Sequence, residues 1–483
     1  MNWSATIVNS LWLASSLGDW RRFKQALDHP EETQLDLLKS LLASNRACEF
    51  GRRHDFSSIS TYRDFAKSVP LSDYQSIQPG IDRLRAGESN LLTSHEITRL
   101  VPTSGTTTAR KLIPFTTALQ RDFNQAIAPW VVDLVRQRPR ILGGPAYWSI
   151  SPSFQQSSEN SKIPIGFDDD VSYLGGAKAW LVRKSVVTPD IRGKDISGFQ
   201  RKTISALAAC RDLRLISVWH PSFLTLLLDM LPAGTNPREL WPDLQVISCW
   251  GDAAAEAPMS ELGERFPGVL IQRKGLLATE AFVTIPFEGA HPIALRSHFF
   301  EFIDSSGRIH LAHELRPDEK YEVVVSTSGG LWRYRLRDMV QVTGSWGRTP
   351  SLRFLGRTNT SDLCGEKLSE EFVASCVFRV FGRPRFALLA PNSDGNRYNF
   401  FLEGAATPES LDQFENALRE NPQYAHCRNL GQLQPISFIP IAGNACESFL
   451  HFHAANSQRL GDVKPSFLSV RTDWEVAFRG SSS

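Results

Sequence analysis

At 483 residues the chain exceeds what one compact core usually holds, so two domains of unequal size are expected. Its 53 basic and 51 acidic residues leave a formal net charge of +2, which gives no global field for nucleic acid or an anionic membrane. With 42% hydrophobic and 22% charged residues, the composition is that of a soluble globular protein. The seven cysteines (Cys48, Cys210, Cys249, Cys364, Cys376, Cys427 and Cys446) are scattered, odd in number and without a CxxC pair. That spacing fits neither a disulfide framework nor a zinc site, and it suits reduced thiols in the cytoplasm.

The N-terminus, MNWSATIVNSLWLASSLGDWRRF, has a short apolar stretch at Leu11 to Leu17, broken by Ser15 and Ser16. It lacks a basic leader and a small-residue cleavage site, so it reads as a helix packed on the body rather than a signal peptide. No run approaches the length of a membrane span. Residues 1–50 are helical in periodicity, with Leu37, Leu38, Leu41 and Leu42 on one face. From about residue 95 strands and helices alternate. LRLISVW (Leu213 to Trp219) and LQVISCW (Leu244 to Trp250) read as buried strands, and PSFLTLLLDML as a helix opened by Pro221. A helix around Met259 to Phe266 and a strand around Val269 to Gln272 follow. This alternation predicts an α/β domain whose sheets are flanked by helices.

From Tyr321 the pattern changes to strands joined by a Gly329-Gly330 turn, running on to LRFLGR at Leu352 to Arg357. Beyond Arg357 helices are expected near Ser369 to Phe381 and Pro408 to Glu420, with strands near Arg385 to Ala390 and Asn399 to Leu402. The division is therefore a large domain over 1–356 and a small α+β domain over 357–483. No internal repeat or low-complexity tract interrupts it.

Five stretches carry candidate chemistry. VPTSGTTTARKLIPFT (Val101 to Thr116) surrounds Gly105 with the hydroxyls of Thr103, Ser104, Thr106, Thr107 and Thr108 and follows with Arg110 and Lys111. Such a loop lets backbone N–H groups approach phosphate oxygens, though it lacks the GxxxxGK[ST] of P-loop NTPases and could be a threonine-rich turn. RKGLLATEAFVTIP ends a strand in Ala278, Thr279 and Glu280, an acid that could hold Mg²⁺ beside a triphosphate or simply face solvent. LWRYRLRDMVQVTG places Asp338 at the end of a turn between strands, where a carboxylate can accept ribose hydroxyls or pair with Arg335 or Arg337. FLGRTNTSDLCGEKLSEEF offers Gly356 and a polar run as a hinge, with Arg357 and Lys367 able to meet a nucleotide; it also reads as a linker before a capped helix. In SQRLGDVKPSFLS, Lys464 lies in a loop bearing Gly461.

In this order these stretches resemble the adenylate-forming superfamily, and more closely the Gretchen Hagen (auxin-responsive) family of acyl acid amido synthetases in its bacterial branch. The resemblance runs from FKQALDHPEETQ through FAKSVPLSDYQSIQPGIDRLRAGESN, TSGTTTARKLIPFT, ATE, YRLRD and GRTNTSDLCGEKLSE to GQLQPISFIP and QRLGDVKP. It implies a phosphate-binding loop at TSGTTTARK, a nucleotide and magnesium segment at ATE, a ribose acid at Asp338 and an inter-domain hinge at GRTN. It implies that Lys464 assists adenylation and that Lys367 can reach the phosphates. Two positions depart from the family pattern: Thr108 and Arg337 each stand where a glycine is usual.

The resemblance implies an ATP- and Mg²⁺-dependent ligase in which a small carboxylate attacks the α-phosphate and an amine, an amino acid foremost, then takes the acyl group. Coenzyme A or a carrier thiol as acceptor, and nucleotide binding without turnover, are the competing readings. The acid pocket is expected from residues 115–230, with Trp219 and Phe223 first among its aromatics because they follow a strand end. A cytoplasmic monomer is expected.

Overall fold

The computed structural model describes residues 2–103, 111–148, 161–167, 175–187, 196–252, 255–357, 360–361, 363, 364, 366, 368–455 and 465–479. The first helix, Trp3–Asp28, is capped by Asn2, whose side chain accepts from the Ala5 N–H at 3.1 Å. It packs along the Thr117–Gln137 helix, and its Phe23 and Leu27 enter an aromatic core with Phe115, Phe123, Phe282 and Phe287. The next helix, Pro30–Asn45, has Pro30 at its start and Glu31 and Glu32 in its first turn, both favourable there. Leu38, Leu41 and Leu42, three of the apolar face read from the sequence, are buried against Phe299 and Trp332. Among the described residues no helix is long and apolar enough to cross a membrane.

Strands β1 (Ile97–Pro102) and β2 (Leu112–Thr116) form an antiparallel hairpin. A parallel sheet follows, with β3 (Ala146–Trp148), β4 (Leu215–Ser217), β5 (Val246–Cys249) and β6 (Leu270–Arg273) side by side in chain order. Alternation along its strands sorts the residues by face. Ile216, Ile247 and Cys249 enter the core with the Pro221–Asp229 and Glu256–Arg265 helices, whereas Leu215 and Val246 meet Leu134 of the Thr117–Gln137 helix. Both faces are covered, as the apolar runs predict.

The next sheet is antiparallel: β7 (Phe299–Ile303), β8 (Ile309–Leu311), β9 (Lys320–Ser326), β10 (Tyr334–Trp346) and β11 (Thr349–Arg357), ordered β11-β10-β9-β7-β8. The β7–β8 hairpin is not among the strands expected from the sequence. FFEFI breaks strict alternation, and its Glu301 is buried because Arg333 pairs with it at 2.7 Å. The Gly329-Gly330 turn joins β9 and β10 as expected, and Gly330 takes φ +95°. A side chain there would meet Leu92 at 2.9 Å, so glycine is needed both for the backbone angle and for the close approach.

Past Arg357, the short strands β12 (Thr360–Ser361) and β13 (Leu368–Ser369) pair, and Ser369 caps the Glu370–Phe381 helix. Then β14 (Ala387–Pro391) and β15 (Tyr398–Glu403) follow one another as an antiparallel pair, with the Pro408–Leu418 helix after both. Strand β16 (Ser437–Ile441) joins β15 in parallel. One face of this sheet packs under the Glu370–Phe381 and Pro408–Leu418 helices, and the other shares a core with the Ala445–Ala455 and Trp474–Arg479 helices.

Candidate active site

The threonine-rich stretch connects β1 to β2. Its two ends are tied where the Thr103 N–H donates to the Lys111 carbonyl at 2.9 Å. Lys111 lies with its ammonium 5.8 Å from the centre of the Tyr74 ring, and the Tyr74 hydroxyl accepts the Leu112 N–H at 2.9 Å. The facing ends of the two strands are thereby held together, and β2 runs directly into the Thr117–Gln137 helix. Ser104, Thr106, Thr107 and Thr108 lie outside the described residues.

Below that corner lies the turn between β9 and β10. The Ser328 carbonyl accepts from the Thr93 and Thr116 hydroxyls at 3.2 and 3.3 Å. The Ser328 hydroxyl donates to Asp122 in a short bond. Burial pushes the Asp122 carboxyl up to about 7, against the opposing pull of Ser328 and Arg121. Asp122 is a candidate that sequence reasoning missed, because an acid one turn into a helix normally faces water.

Glu280 stands at the tip of a tight hairpin. Leu277 bridges Phe282, and the Ala278 N–H donates to the Ala281 carbonyl at 2.9 Å, so Thr279 and Glu280 form the turn. The hairpin is fixed from two sides. The Phe282 ring stacks on Phe123 with centroids 4.3 Å apart, and the Phe282 N–H donates to Nε2 of His298 at 3.2 Å. His298 is fully buried and pushed down to about 3 by desolvation, so it is neutral and can accept that bond. Glu280 is 7% exposed, unlike a loop acid facing solvent.

Asp338 lies within β10 rather than at the end of a turn. The β10–β9 ladder skips between Arg335 and Met339, and Arg337 takes φ +63°, so residues 336–338 bulge away from β9. Asp338 is buried in this bulge and is the register partner of Arg357 at the end of β11. The pairing of Asp338 with Arg335 is not what forms: Arg335 makes a two-pronged bond to Glu322 at 2.8 and 2.6 Å. The left-handed angle at Arg337 also explains why a glycine suits this position.

At the C-terminal edge of the parallel sheet, Trp219 is half-buried and tilted against Trp250, with centroids 5.4 Å apart. Phe223 is buried against Phe199 in the core, so of the two aromatic candidates Trp219 alone keeps substantial accessible surface. Beside it, Lys274 follows β6 and is 7% exposed. Its ammonium donates to the Ser217 hydroxyl at 2.8 Å and lies 4.6 Å from the centre of the Trp219 ring. The sequence signal for Lys274, a lysine at a strand end, is that of a solvated residue.

Past β11, Glu366 is fully buried in a turn that the sequence marks only as a linker. Burial pushes its carboxyl up; bonds from the Tyr398 hydroxyl and from the Cys364 and Leu363 N–H groups outweigh this and bring it below the usual range. Lys367 and Lys464 lie outside the described residues, and for Arg357 only the backbone is described.

Two family models match the chain: the GH3 family N-terminal domain at residues 19–236 and the GH3 family central domain at 291–357, together more than half of it. The chain belongs to the GH3 family. The N-terminal GH3 model takes in the β1–β2 hairpin, Asp122 and Trp219, and the central GH3 model takes in Asp338 and Arg357. Glu280 and Lys274 fall between the two. An indole-3-acetic acid-amido synthetase of Arabidopsis thaliana is 21% identical over 68% of this chain and 74% of its own. A putative one of Oryza sativa subsp. japonica is 22% identical over 73% and 84%. Among solved structures, a GH3 acyl acid amido synthetase in complex with 2,4-DB superposes with a TM-score of 0.81 at 16% identity, covering 95% of each chain. A 2-hydroxyisobutyryl-CoA ligase with 2-HIB-AMP gives 0.52 at 12% identity, covering 97% of this chain and 91% of that one. The fold is thus that of the solved GH3 acyl acid amido synthetase, and the 2-hydroxyisobutyryl-CoA ligase shares it more loosely.

Proposed function

We propose that this protein activates a small carboxylic acid with ATP and passes the acyl group to an amine, an amino acid foremost. The observation that carries the reading is the conjunction of two buried carboxylates, Glu280 on its hairpin tip and Asp338 in its bulge, with the family's match across the β1–β2 hairpin. Neither acid has the exposure of an ordinary surface residue. A buried carboxylate held on rigid backbone is what a nucleotide's polar groups require.

In this reading Asp338 accepts the ribose hydroxyls, and the N–H groups and hydroxyls of 103–111 bind phosphate oxygens. Glu280 is the hard oxygen donor suited to Mg²⁺, which when bound offsets phosphate charge. A carboxylate oxygen of the acid bonds to the α-phosphorus while the bond to the pyrophosphate oxygen breaks. The amine then attacks the acyl carbonyl, and AMP leaves with the electron pair of the broken C–O bond. No protein nucleophile takes part; positioning and charge stabilisation lower the barrier. The chain divides at Arg357 in this reading, and the part beyond it turns to bring Lys464 to the phosphates for the first step and withdraw it for the second. Arg357, at the end of β11, serves as the hinge, and Lys367 follows it.

ATP–pyrophosphate exchange across a panel of acids tests the first half-reaction. Amide formation with amino acids, run against thioester formation with coenzyme A, tests the second. Exchange with no acid would overturn the proposal, and thioester as the sole product would replace the acceptor.

A further inference from the structure

The adenylation chemistry gives no task to the thiols beyond Arg357. Among the described residues, one group of His, Cys, Asp or Glu side chains is tight enough to hold a metal ion: Cys364, Glu366 and Cys427. Their two Sγ atoms and a Glu366 carboxylate oxygen all lie within 4.8 Å of one another. Cys364 and Glu366 belong to the loop between β12 and β13, and Cys427 to the Pro422–Asn429 helix. The two cysteines are 63 positions apart, so no short spacing in the sequence announces them.

The carboxylate is oriented by its own turn and by β15. Its Oε1 accepts the Leu363 N–H at 2.7 Å and the Tyr398 hydroxyl, and its Oε2 accepts the Cys364 N–H at 2.9 Å. The Cys364 thiol donates to the same Oε2 at 3.4 Å, and the Cys427 thiol donates to the Cys364 carbonyl at 3.4 Å. A glutamate that only closes its turn needs the two N–H bonds. It does not need two thiols from distant segments brought together beside it.

The distances suit one tetrahedral ion. Zn–S bonds of about 2.3 Å and a Zn–O bond of about 2.1 Å set neighbouring donors about 3.6–3.8 Å apart. The contact of Cys364 Sγ with Glu366 Oε2 is already close to that. Loss of the thiol protons frees the Oε2 lone pair that now accepts from Cys364, while the two N–H groups and Tyr398 keep the carboxylate in place. Glu366 and Cys427 are buried but Cys364 is only half-buried, so water can reach a fourth position from its side. Two thiolates select zinc over Mg²⁺, which wants an octahedron of oxygens. A disulfide fits less well. Burial, with Cys427 and Glu366 beside it, pushes the Cys364 thiol up to about 12, and a thiol that keeps its proton reacts slowly with oxidants.

We propose that Cys364, Glu366 and Cys427 form a zinc site that fastens the loop just past Arg357 to the Pro422–Asn429 helix. Zinc bound there adds to the stability of this part of the chain, because the three donors come together only when it is folded. The proposal does not depend on the adenylation reading, since it is tested without ATP or acid.

The test takes the full chain, reduced and stripped with a chelator, and titrates it with Zn²⁺ in excess Mg²⁺. Each chain should take up about one ion and release about two protons, because both thiols must ionise. Zinc should raise the thermal unfolding midpoint. Co²⁺ in its place should give thiolate-to-cobalt charge-transfer absorption in the near ultraviolet. Tyr398→Phe keeps all three donors but loosens Glu366, and should weaken zinc binding by about tenfold or more. Cys427→Ser removes a donor and should weaken it by more than about a hundredfold. Cys210→Ser, in another part of the fold, should change nothing. If Cys427→Ser does not fold, alkylation of the wild-type protein decides. Zinc should shield Cys364 and leave Cys210 and Cys446, which are also half-buried, as reactive as before. Zinc bound no more tightly than Mg²⁺, cobalt bound without the thiolate band, full affinity in a folded Cys427→Ser, or Cys364 alkylated alike with and without zinc would each overturn the site.

Discussion

Asp338 is the register partner of Arg357 across the β10–β11 ladder, and it directly follows Arg337, which takes φ +63° in the same bulge. This pairing joins the acid read as the ribose partner to the residue at which the chain is read to turn. Arg337, the residue before Asp338 in β10, holds a left-handed backbone angle. A non-glycine residue in this region costs about 1–3 kcal/mol. Arg337→Gly should therefore stabilise the fold, net of the unfolded-state entropy that glycine adds, about 0.4–1 kcal/mol. Arg337→Ala keeps the strain and serves as control. Urea unfolding should rank the glycine variant above the alanine variant by about 1 kcal/mol; equal stabilities would show that the bulge stores no strain at this residue.

Glu280 and Asp338 should separate by assay. Asp338→Asn keeps the size of the side chain but weakens its acceptance of ribose hydroxyls, so KM for ATP should rise by about tenfold while KM for the acid changes little. Glu280→Gln should shift the Mg²⁺ titration of pyrophosphate exchange to higher concentration. An unchanged Mg²⁺ dependence would remove Glu280 from the metal's surroundings.

Asp122 gives a pH dependence with a definite sign. Its folded carboxyl is raised to about 7 by burial, above the ordinary value of 3.8. Between those values the native state binds more protons at this group than the unfolded chain, so its contribution to stability falls as pH rises from about 4 to about 7. Asp122→Asn removes the titration. Relative to wild type, the variant should gain stability at pH 8 compared with pH 4, by an amount on the order of 1 kcal/mol or more. Chemical unfolding at the two pH values reads this directly, and parallel profiles for the two proteins would sink the assignment.

The site was legible in the sequence where function demands an unusual residue type at a fixed place in the order, and illegible where burial alone makes a residue unusual. Glu280 and Asp338 were found as acids beside predicted strands, and the structure then buried both. Lys274 and Asp122 look like solvated charges in the sequence; only the packing of distant segments, Ser217 against one and Ser328 against the other, makes them notable. The same holds for fold. The parallel sheet could be read from apolar runs such as LQVISCW, whereas the β7–β8 hairpin escaped because Glu301 interrupts its pattern and becomes acceptable only through Arg333, far along the chain. Beyond Arg357 the strands near 385–390 and 399–402 were expected where they occur, but that they pair with each other before any helix intervenes depends on the turn at 392–396, where the Asn392 side chain accepts the Asn396 and Arg397 N–H groups.

The proposed rotation of the part beyond Arg357 makes the last prediction. That part meets the parallel-sheet lobe along a cavity of about 420 Å³ bordered by ion pairs, with Arg383 3.4 Å from Glu256 and Arg385 3.7 Å from Glu261. Both arginines are more than half exposed, so each pair contributes little and is screened by salt. The two parts also share a buried apolar cluster, with Leu226 and Phe266 on one side and Phe386, Phe449 and Trp474 on the other, so a turn of this part has to re-cover that surface while the ion pairs themselves resist it little. If Lys464 serves only the arrangement that forms the acyl-adenylate, Lys464→Ala should slow pyrophosphate exchange by about a hundredfold while ATP affinity stays within about twofold. Amide formation from acyl-adenylate supplied directly should be nearly unaffected, because the anhydride is already activated and the lysine has withdrawn. Arg383→Glu combined with Arg385→Glu should place like charges along the seam and change the ratio of the two half-reaction rates without abolishing either. Equal losses in both half-reactions for Lys464→Ala, together with an unchanged ratio in the double variant, would mean that one arrangement performs both steps and that the part beyond Arg357 does not turn.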